Sequence, residues 1–256
     1  MVAALGGVFG VSCAAAAGLN DTGVTTCADA SGATVSCTAA TAVQGQDARY
    51  GRDAAAGTGA LTKVGGGANG FDFTKISNGS ASVPGVVLAS SAALGTGPND
   101  WGCTYDNTTG LMWEVKTTSG LRKSTYSYSW YSTNALTNGG SVGYASNGTC
   151  FAVGRCDTEK FAQDVNIVGM CGHSDWRLPT FRELYSIVRL SADPYNVDAV
   201  YFPNIIGTIA SGGYWTGSPD ARSLGNAWLV YFYGSYPNTS LSRIEALNVR
   251  LVRIGQ

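Results

Sequence analysis

Apolar and polar positions near the end of the chain follow a period of two residues. One register of residues 227–233 holds the side chains that we expect in the core, namely Trp228, Val230 and Phe232. The other register holds Leu229, Tyr231 and Tyr233. This alternation predicts a β-strand with one buried and one exposed face. Tyrosines then stand where a solvated sheet usually carries Lys, Glu or Thr.

Two earlier stretches combine helical spacing with capping residues. Residues 156–169 offer Asp157 as an N-cap and Gly169 as a stop. Residues 178–188 place Thr180 and Glu183 at capping-box spacing. Helices followed by a cluster of antiparallel strands predict an α+β fold.

The amino-acid composition of the chain changes at Trp101. Residues 18–100 are rich in Gly, Ala, Ser and Thr, which predicts a loosely structured segment with short strands at 71–76 and 83–89. From Trp101 onward, aromatic, aliphatic and cysteine residues become denser. We therefore expect the compact domain to span residues 101–256.

Residues 1–17 are apolar, uncharged and rich in Gly and Ala. The stretch is too short to cross a bilayer, and its alanine-rich end resembles a signal-peptidase site. We interpret it as a secretory signal, which predicts a secreted or cell-surface protein without a transmembrane span. Two alternatives remain open: a disordered N-terminus, and lipidation of Cys13.

Composition excludes one class of partner and favours ordered loops. Charged residues make up 13% of the 256 residues, the net charge is -1, and Lys and Arg form no run. A basic surface for nucleic acid is therefore not expected. The 35 glycines, with many Ser, Thr and Asn, predict long loops.

Six of the seven cysteines remain if Cys13 leaves with the signal, and an even number suits a disulfide framework. The sequence favours short local bridges for two pairs, Cys27 with Cys37 and Cys150 with Cys156. Cys103 is then left to pair with Cys171. Fifteen pairings are possible in principle. A zinc site is disfavoured because no C-x-x-C occurs and His173 is the only histidine, so we predict no metal and no cofactor.

An ordered series of motifs carries a family resemblance. In chain order the motifs are "DNTTGLMWEVKT" (106–117), "CGHSDWRLPTFREL" (171–184), "YFPN" (201–204), "YWTGSP" (214–219), "AWLVYF" (227–232) and "VRLVR" (249–253). The series closely resembles the bacterial exported domain once called domain of unknown function 1566. That family is now named after the C-terminal domain of a Legionella collagen-like adhesin. The resemblance covers residues 101–256.

The resemblance implies a C-type-lectin-like fold with two helices, a small twisted antiparallel sheet and termini that lie close together. It also implies ligand recognition, because members of the family look like adhesins and binding modules. A subset resembles the variable proteins of diversity-generating retroelements, in which surface residues of the last strands are rewritten on a fixed scaffold.

Two other functions on this fold remain as alternatives. Formylglycine-generating and related enzymes rely on reactive cysteines or metal ligands in the C-terminal half, whereas no cysteine follows Cys171. The consecutive residues His173, Ser174 and Asp175 cannot form a relay without partners from elsewhere. Calcium-dependent sugar binding lacks its carboxylate motifs, and residues 193–198 are better interpreted as a turn than as a cation site.

The predicted site combines tyrosines with small polar and charged residues. We assign Trp176, Trp215 and Trp228 to the core. The candidate ligand-binding residues are Asp220, Arg222, Ser223, Asn226, Leu229, Tyr231, Tyr233, Tyr236, Asn238, Arg243 and Glu245. This composition is typical of protein-binding loops and predicts a non-catalytic module for a protein or glycan partner. Alternatively, Tyr231 and Tyr233 pack beneath the N-terminal loops.

Overall fold

The computed structural model describes residues 18–190, 195–206, 212–234 and 238–255. The α-helices are α1 (Gly51–Gly57), α2 (Thr158–Val168) and α3 (Phe181–Tyr185). The strands are β1 (Cys27–Ala28), β2 (Thr34–Val35), β3 (Phe73–Ser77), β4 (Trp101–Asp106), β5 (Leu111–Glu114), β6 (Ser127–Tyr128), β7 (Gly148–Thr149), β8 (Gly213–Pro219), β9 (Asn226–Tyr231), β10 (Asn238–Ser242), β11 (Asn248–Val249) and β12 (Val252–Ile254). The predicted signal segment, with Cys13, lies outside the described residues.

Two four-stranded sheets form the centre of the protein. The first has the order β12-β5-β4-β3 and is antiparallel throughout. The second has the order β10-β9-β8-β11, with β11 parallel to β8. Strands β1 with β2, and β6 with β7, pair as two short ribbons. The mixture of helices and sheets confirms the α+β class. We expected one small sheet, whereas the described residues form several.

The two predicted helices form with the predicted caps. Asp157 accepts a hydrogen bond from the Lys160 N–H at 2.9 Å, and α2 ends at Gly169, whose φ is 67°. Thr180 and Glu183 form a complete capping box at the start of α3. Helix α3 is shorter than the predicted 178–188, because the chain continues beyond it in single turns.

The N-terminal segment contains more structure than its composition predicts. Helix α1 includes three consecutive alanines, the best helix formers. Strand β3 confirms the prediction for 71–76 and forms an edge of the first sheet, where Phe73 is buried. Residues 83–89 make only isolated bridges, so the strand predicted there is absent from the described chain.

Both faces of the second sheet are covered. Leu229 belongs to one hydrophobic cluster and Val230 to another, and each side chain is 0% exposed. The predicted exposure of Leu229 is therefore wrong. The period-two pattern fails here because the sheet is sandwiched between two clusters, so that both registers of β9 pack against apolar side chains.

Two of the three predicted core tryptophans are confirmed. Trp176 and Trp215 are buried, and their indole N–H groups donate to the carbonyl oxygens of Met170 and Tyr128, each at 2.9 Å. Trp228, by contrast, is only half-buried at the rim of the second sheet. Its assignment to the core is corrected accordingly.

Three disulfides confirm the predicted pairing. Cys27 pairs with Cys37, Cys150 with Cys156, and Cys103 with Cys171. The last bridge ties β4 to the turn that follows α2, across 68 positions of the sequence. Bridges that close such long loops restrict the unfolded chain most.

A small group of charged side chains is buried between the sheets. The Glu114 carboxylate accepts hydrogen bonds from Lys116 Nζ at 2.6 Å and from the Leu251 N–H at 2.9 Å. Arg250 donates to the Glu114 carbonyl at 2.6 Å. Burial lowers the pKa of Lys116 to about 8, although the neighbouring Glu114 opposes this change.

The ends of the described chain meet at the turn between β4 and β5. Asn20 donates to the carboxylate of Asp106, and the Gly255 N–H donates to the Gly110 carbonyl at 2.7 Å.

Over the residues that the structure describes, no helix combines the length and the apolar character needed to span a bilayer.

Candidate functional site

Four planar side chains lie in a row at the rim of the second sheet. Tyr185 and Phe181, one turn apart on α3, have ring centroids 5.5 Å apart. Phe181 lies 5.4 Å from Trp228 of β9, and the Arg222 guanidinium lies 5.2 Å from the centroid of the Trp228 ring. We call these four residues the aromatic strip. The three aromatic rings are half-buried, while Arg222 is exposed.

Asp220 fixes the charged end of the aromatic strip. Its buried carboxylate accepts hydrogen bonds from Arg222 Nε at 3.0 Å, Arg222 Nη2 at 2.9 Å and Ser240 Oγ at 2.7 Å. These bonds, with Arg222 the largest cause, hold the pKa of Asp220 well below its usual range. The guanidinium is therefore oriented before any partner binds.

The loop that carries these residues is a tight hairpin between β8 and β9. The Ser223 N–H donates to the Asp220 carbonyl at 3.0 Å, and the Asn226 N–H donates to the Ser223 carbonyl at 3.0 Å. Both residues are half-buried. The structure thus brings the first four predicted site residues together beside Trp228.

Arg243 does not join this surface. It is fully buried, its guanidinium lies 4.1 Å from the Trp130 ring, and it donates to the carbonyls of Asn226 and Asn138, each at 3.0 Å. A third donation reaches the Ser141 carbonyl. The prediction that Arg243 is displayed is wrong, because backbone carbonyls inside the protein accept from its Nε and Nη1.

The remaining candidates occupy different places. Tyr231 is half-buried against the cluster that contains Leu229, and burial raises the pKa of its hydroxyl. Tyr233 is half-buried and lies 6.0 Å from the Tyr195 ring. The candidates exposed to solvent are Asn238 and Glu245, and Tyr236 lies outside the described residues. Among the described positions of this strand, Leu229 is buried and Tyr231 and Tyr233 are half-buried, so these three side chains do not form the exposed face that the strand pattern predicts.

Sequence reasoning missed Phe181, Tyr185 and Ser240 and placed Trp228 in the core. One signal was available: Phe181 and Tyr185 are four residues apart on a capped helix, off the face that carries Leu184. Side chains so spaced are neighbours on a helix surface. The sequence held no signal that this surface would meet Trp228.

The residues weighed as a cation site hold the backbone instead. Asp198 accepts from the N–H groups of Ala68 at 2.7 Å and Val200 at 3.0 Å, and Asn196 donates to the Gly234 carbonyl. These contacts agree with the interpretation as a turn. Asp193 lies outside the described residues.

A carboxylate cluster not anticipated from sequence occurs in the N-terminal segment. Oxygen atoms of Asp21, Asp47 and Asp53 lie within 4.8 Å of one another. Asp53 accepts from the N–H groups of Gly23 and Gly70, each at 2.7 Å, and burial raises its pKa. Because chain donors already occupy these oxygens, the cluster serves to hold the segment onto α1.

The sheets, the three disulfides and the aromatic strip together define a disulfide-bonded α+β domain with an aromatic surface at the rim of one sheet. The chain belongs to the Lcl C-terminal domain family, whose model matches residues 102–253. No match is found among curated proteins or among solved structures.

Proposed function

We propose that this chain is an exported, non-catalytic recognition module of the adhesin type, whose aromatic strip contacts a protein or glycan ligand. The observation that carries the proposal is the row from Tyr185 to Arg222, in which neighbouring ring centroids lie 5.5 and 5.4 Å apart and the guanidinium lies 5.2 Å from the Trp228 centroid. Aromatic and arginine side chains dominate the binding energy of many interfaces, and aromatic faces also stack on sugars.

Preorganisation of the aromatic strip also favours recognition. Asp220 and Ser240 hold Arg222, and the Phe181 N–H donates to Ser218 Oγ at 3.0 Å, which ties α3 to β8. Side chains that are already ordered lose little conformational entropy on binding. The surface is thus suited to a partner that is met in the extracellular medium.

Export is supported by the disulfides together with the apolar stretch at residues 1–17. We further propose a C-type-lectin-like arrangement, which accords with two capped helices and with chain ends that meet at one turn. Mass spectrometry of the mature protein tests the export step: a new N-terminus after residue 17 is expected, and an intact residue 1 contradicts cleavage.

The non-catalytic part of the proposal rests on how the polar residues near His173 are used. Asp175 accepts from Arg253 Nε at 2.7 Å and so supports the sheet rather than the imidazole. Burial, followed by the charge of Arg253, lowers the pKa of His173. The alternatives are an enzyme related to formylglycine-generating enzymes and a calcium-dependent lectin.

We extend the proposal to diversification by a retroelement. Arg222, Asn238 and Glu245 are exposed positions where substitution leaves both hydrophobic clusters intact. A neighbouring reverse transcriptase gene with a near-copy of the segment coding for residues 214–250 is expected. Sibling genes that never vary at these positions would contradict this extension.

A binding screen tests the proposed surface. The disulfide-bonded protein is applied to a glycan array and to immobilised extracellular-matrix proteins, alongside the double variant Trp228→Ala/Arg222→Ala. Loss of two anchors should weaken any observed binding by at least about 10-fold. Phe151→Ala, at an exposed aromatic residue outside the aromatic strip, is the matched control and should bind normally. Binding by the double variant as tight as that of the wild type contradicts the proposal.

A further inference from the structure

A cavity of about 570 Å³ lies beside the first sheet, away from the aromatic strip. Side chains on one cross-strand row line it, since Arg253 pairs with Met112, Met112 with Tyr105, and Tyr105 with Thr74. The volume is within the usual range of small-molecule sites, about 300–1,000 Å³. The row crosses all four strands of the sheet.

Two loops build the walls of this cavity. Residues 64–66 form one wall and residues 84–90 the other, with Ile76 between them. A Cβ atom on Gly66 would lie 2.3 Å from the hydroxyl oxygen of Tyr201, which also lines the cavity. The close approach of this loop to the tyrosine therefore requires glycine.

Two cationic residues occur in the lining, and the first, Lys75, directs its ammonium away from the cross-strand row. Successive side chains of a strand point to opposite faces, so Lys75 lies on the face of β3 opposite Thr74 and Ile76. Its Nζ is 2.9 Å from the Ala92 carbonyl and 3.9 Å from the centroid of the Trp101 ring. Lys75 therefore provides a cationic control on the other face of the strand.

Arg253 adds a second cationic group to the lining. Its Nε donates to Asp175 at 2.7 Å, whereas Nη1 is buried without a hydrogen-bond partner in the part of the chain that the structure describes. Buried donors are rarely left unpaired. Arg243 and Arg250 also have unpaired N–H groups, but neither residue lines the cavity.

The lining otherwise combines apolar side chains with neutral polar groups. Ile76, Met112, Val87 and Leu88 supply the apolar surface. None of the described lining residues is an aspartate or a glutamate. A buried cationic group with an unpaired N–H donor, in an apolar setting, favours an anionic ligand with an apolar body, because such a ligand satisfies both parts of the site.

We propose that this cavity binds a small organic anion, whose oxyanion accepts from Arg253 Nη1 and whose apolar body packs on Ile76 and Met112. Carboxylates and sulfates both present the required oxygen atoms. The site is separate from the aromatic strip, so it constitutes a second binding function of the domain.

Methyl NMR titration tests the cavity with three matched probes: benzoate, benzenesulfonate and the neutral isostere benzamide. We expect saturable shifts of the Ile76 and Met112 methyl signals with an anion, at a dissociation constant on the order of 1 mM for a ligand this small. Benzamide should bind at least about 10-fold more weakly. The tighter of the two anions identifies the preferred oxyanion.

Two substitutions should act in opposite directions. Arg253→Met keeps an apolar stem beside Met112 and should weaken the anion by at least about 10-fold with little change in benzamide binding, whereas Lys75→Met should change neither. Asp175→Asn removes the negative partner of Arg253 and should tighten the anion by about 2- to 5-fold. Arg222→Gln, in the aromatic strip, should leave the titration unchanged.

Three results overturn the proposal: benzamide binding as tightly as benzoate, a folded Arg253→Met protein with wild-type affinity, or no saturable shift with either anion below about 30 mM. Should Arg253→Met fail to fold, the Asp175→Asn protein decides, because unchanged or weaker anion binding there contradicts the proposal. None of these readouts depends on the aromatic strip.

Discussion

The guanidinium carbon of Arg222 lies 5.2 Å from the centroid of the Trp228 ring. Arg222 belongs to the hairpin between β8 and β9, Trp228 lies on β9, and Asp220 holds the guanidinium through two hydrogen bonds. The charge that stands at the surface is therefore part of a fixed arrangement. This arrangement gives the candidate site a pH dependence.

We expect Asp220 to make the protein less stable in acid. Its folded pKa is below the ordinary value of 3.8, so its stabilising effect is complete above that value and is lost as the pH falls through the folded pKa. Urea unfolding of wild type and Asp220→Asn across a pH series measures this effect. The difference in unfolding free energy between the wild type and Asp220→Asn should be constant above about pH 5 and become smaller below about pH 4. A difference that stays constant in acid contradicts this role of Asp220.

Leu229 should behave as a core residue. Leu229→Ala removes methyl groups from a fully buried position and should lower the free energy of unfolding by about 2–5 kcal/mol. Asn238→Ala, at an exposed position of the neighbouring strand, should change it by less than about 0.5 kcal/mol. Chemical denaturation of both variants provides the measurement. Similar values for the two would show that Leu229 is not packed as described.

The disulfides should contribute unequally to stability. The Cys103–Cys171 bridge spans 68 positions and the Cys150–Cys156 bridge spans 6. The chain-entropy relation predicts losses of about 4 and about 2 kcal/mol, respectively, when each pair is replaced by alanine. Thermal unfolding of the two double variants compares them. Chelator should leave the wild-type melting temperature unchanged, and a large fall with chelator would indicate a structural metal instead.

Lys116 should make the protein more stable in mild alkali. Its pKa is about 8 when folded and 10.5 when exposed, so between these values the unfolded chain binds more protons. Stability from this group therefore rises with pH, by on the order of 2 kcal/mol between about pH 8 and pH 10. Unfolding at several pH values should show the rise in wild type and not in Lys116→Met. A matching rise in the variant would assign it to another group.

Local chemistry is the part of this fold that could be predicted from the sequence. Asp157 and the Thr180–Glu183 pair satisfy N–H groups within the same turn of chain, so their spacing alone determines where α2 and α3 begin. The bridges Cys27–Cys37 and Cys150–Cys156 likewise close short loops. Both kinds of contact depend on residues close together in sequence.

The sequence by itself therefore determined the helix starts and the two short disulfide bridges, because short-range hydrogen bonds and loop closure specify them, and the order of helices and strands determined the α+β class. Only the tertiary structure decided that Leu229 is buried, since a strand pattern cannot reveal a second hydrophobic layer. It also decided that Arg243 donates to distant carbonyls and that Phe181 meets Trp228. Those contacts join elements far apart in the chain, and their geometry follows from how helix α3 and the sheets pack.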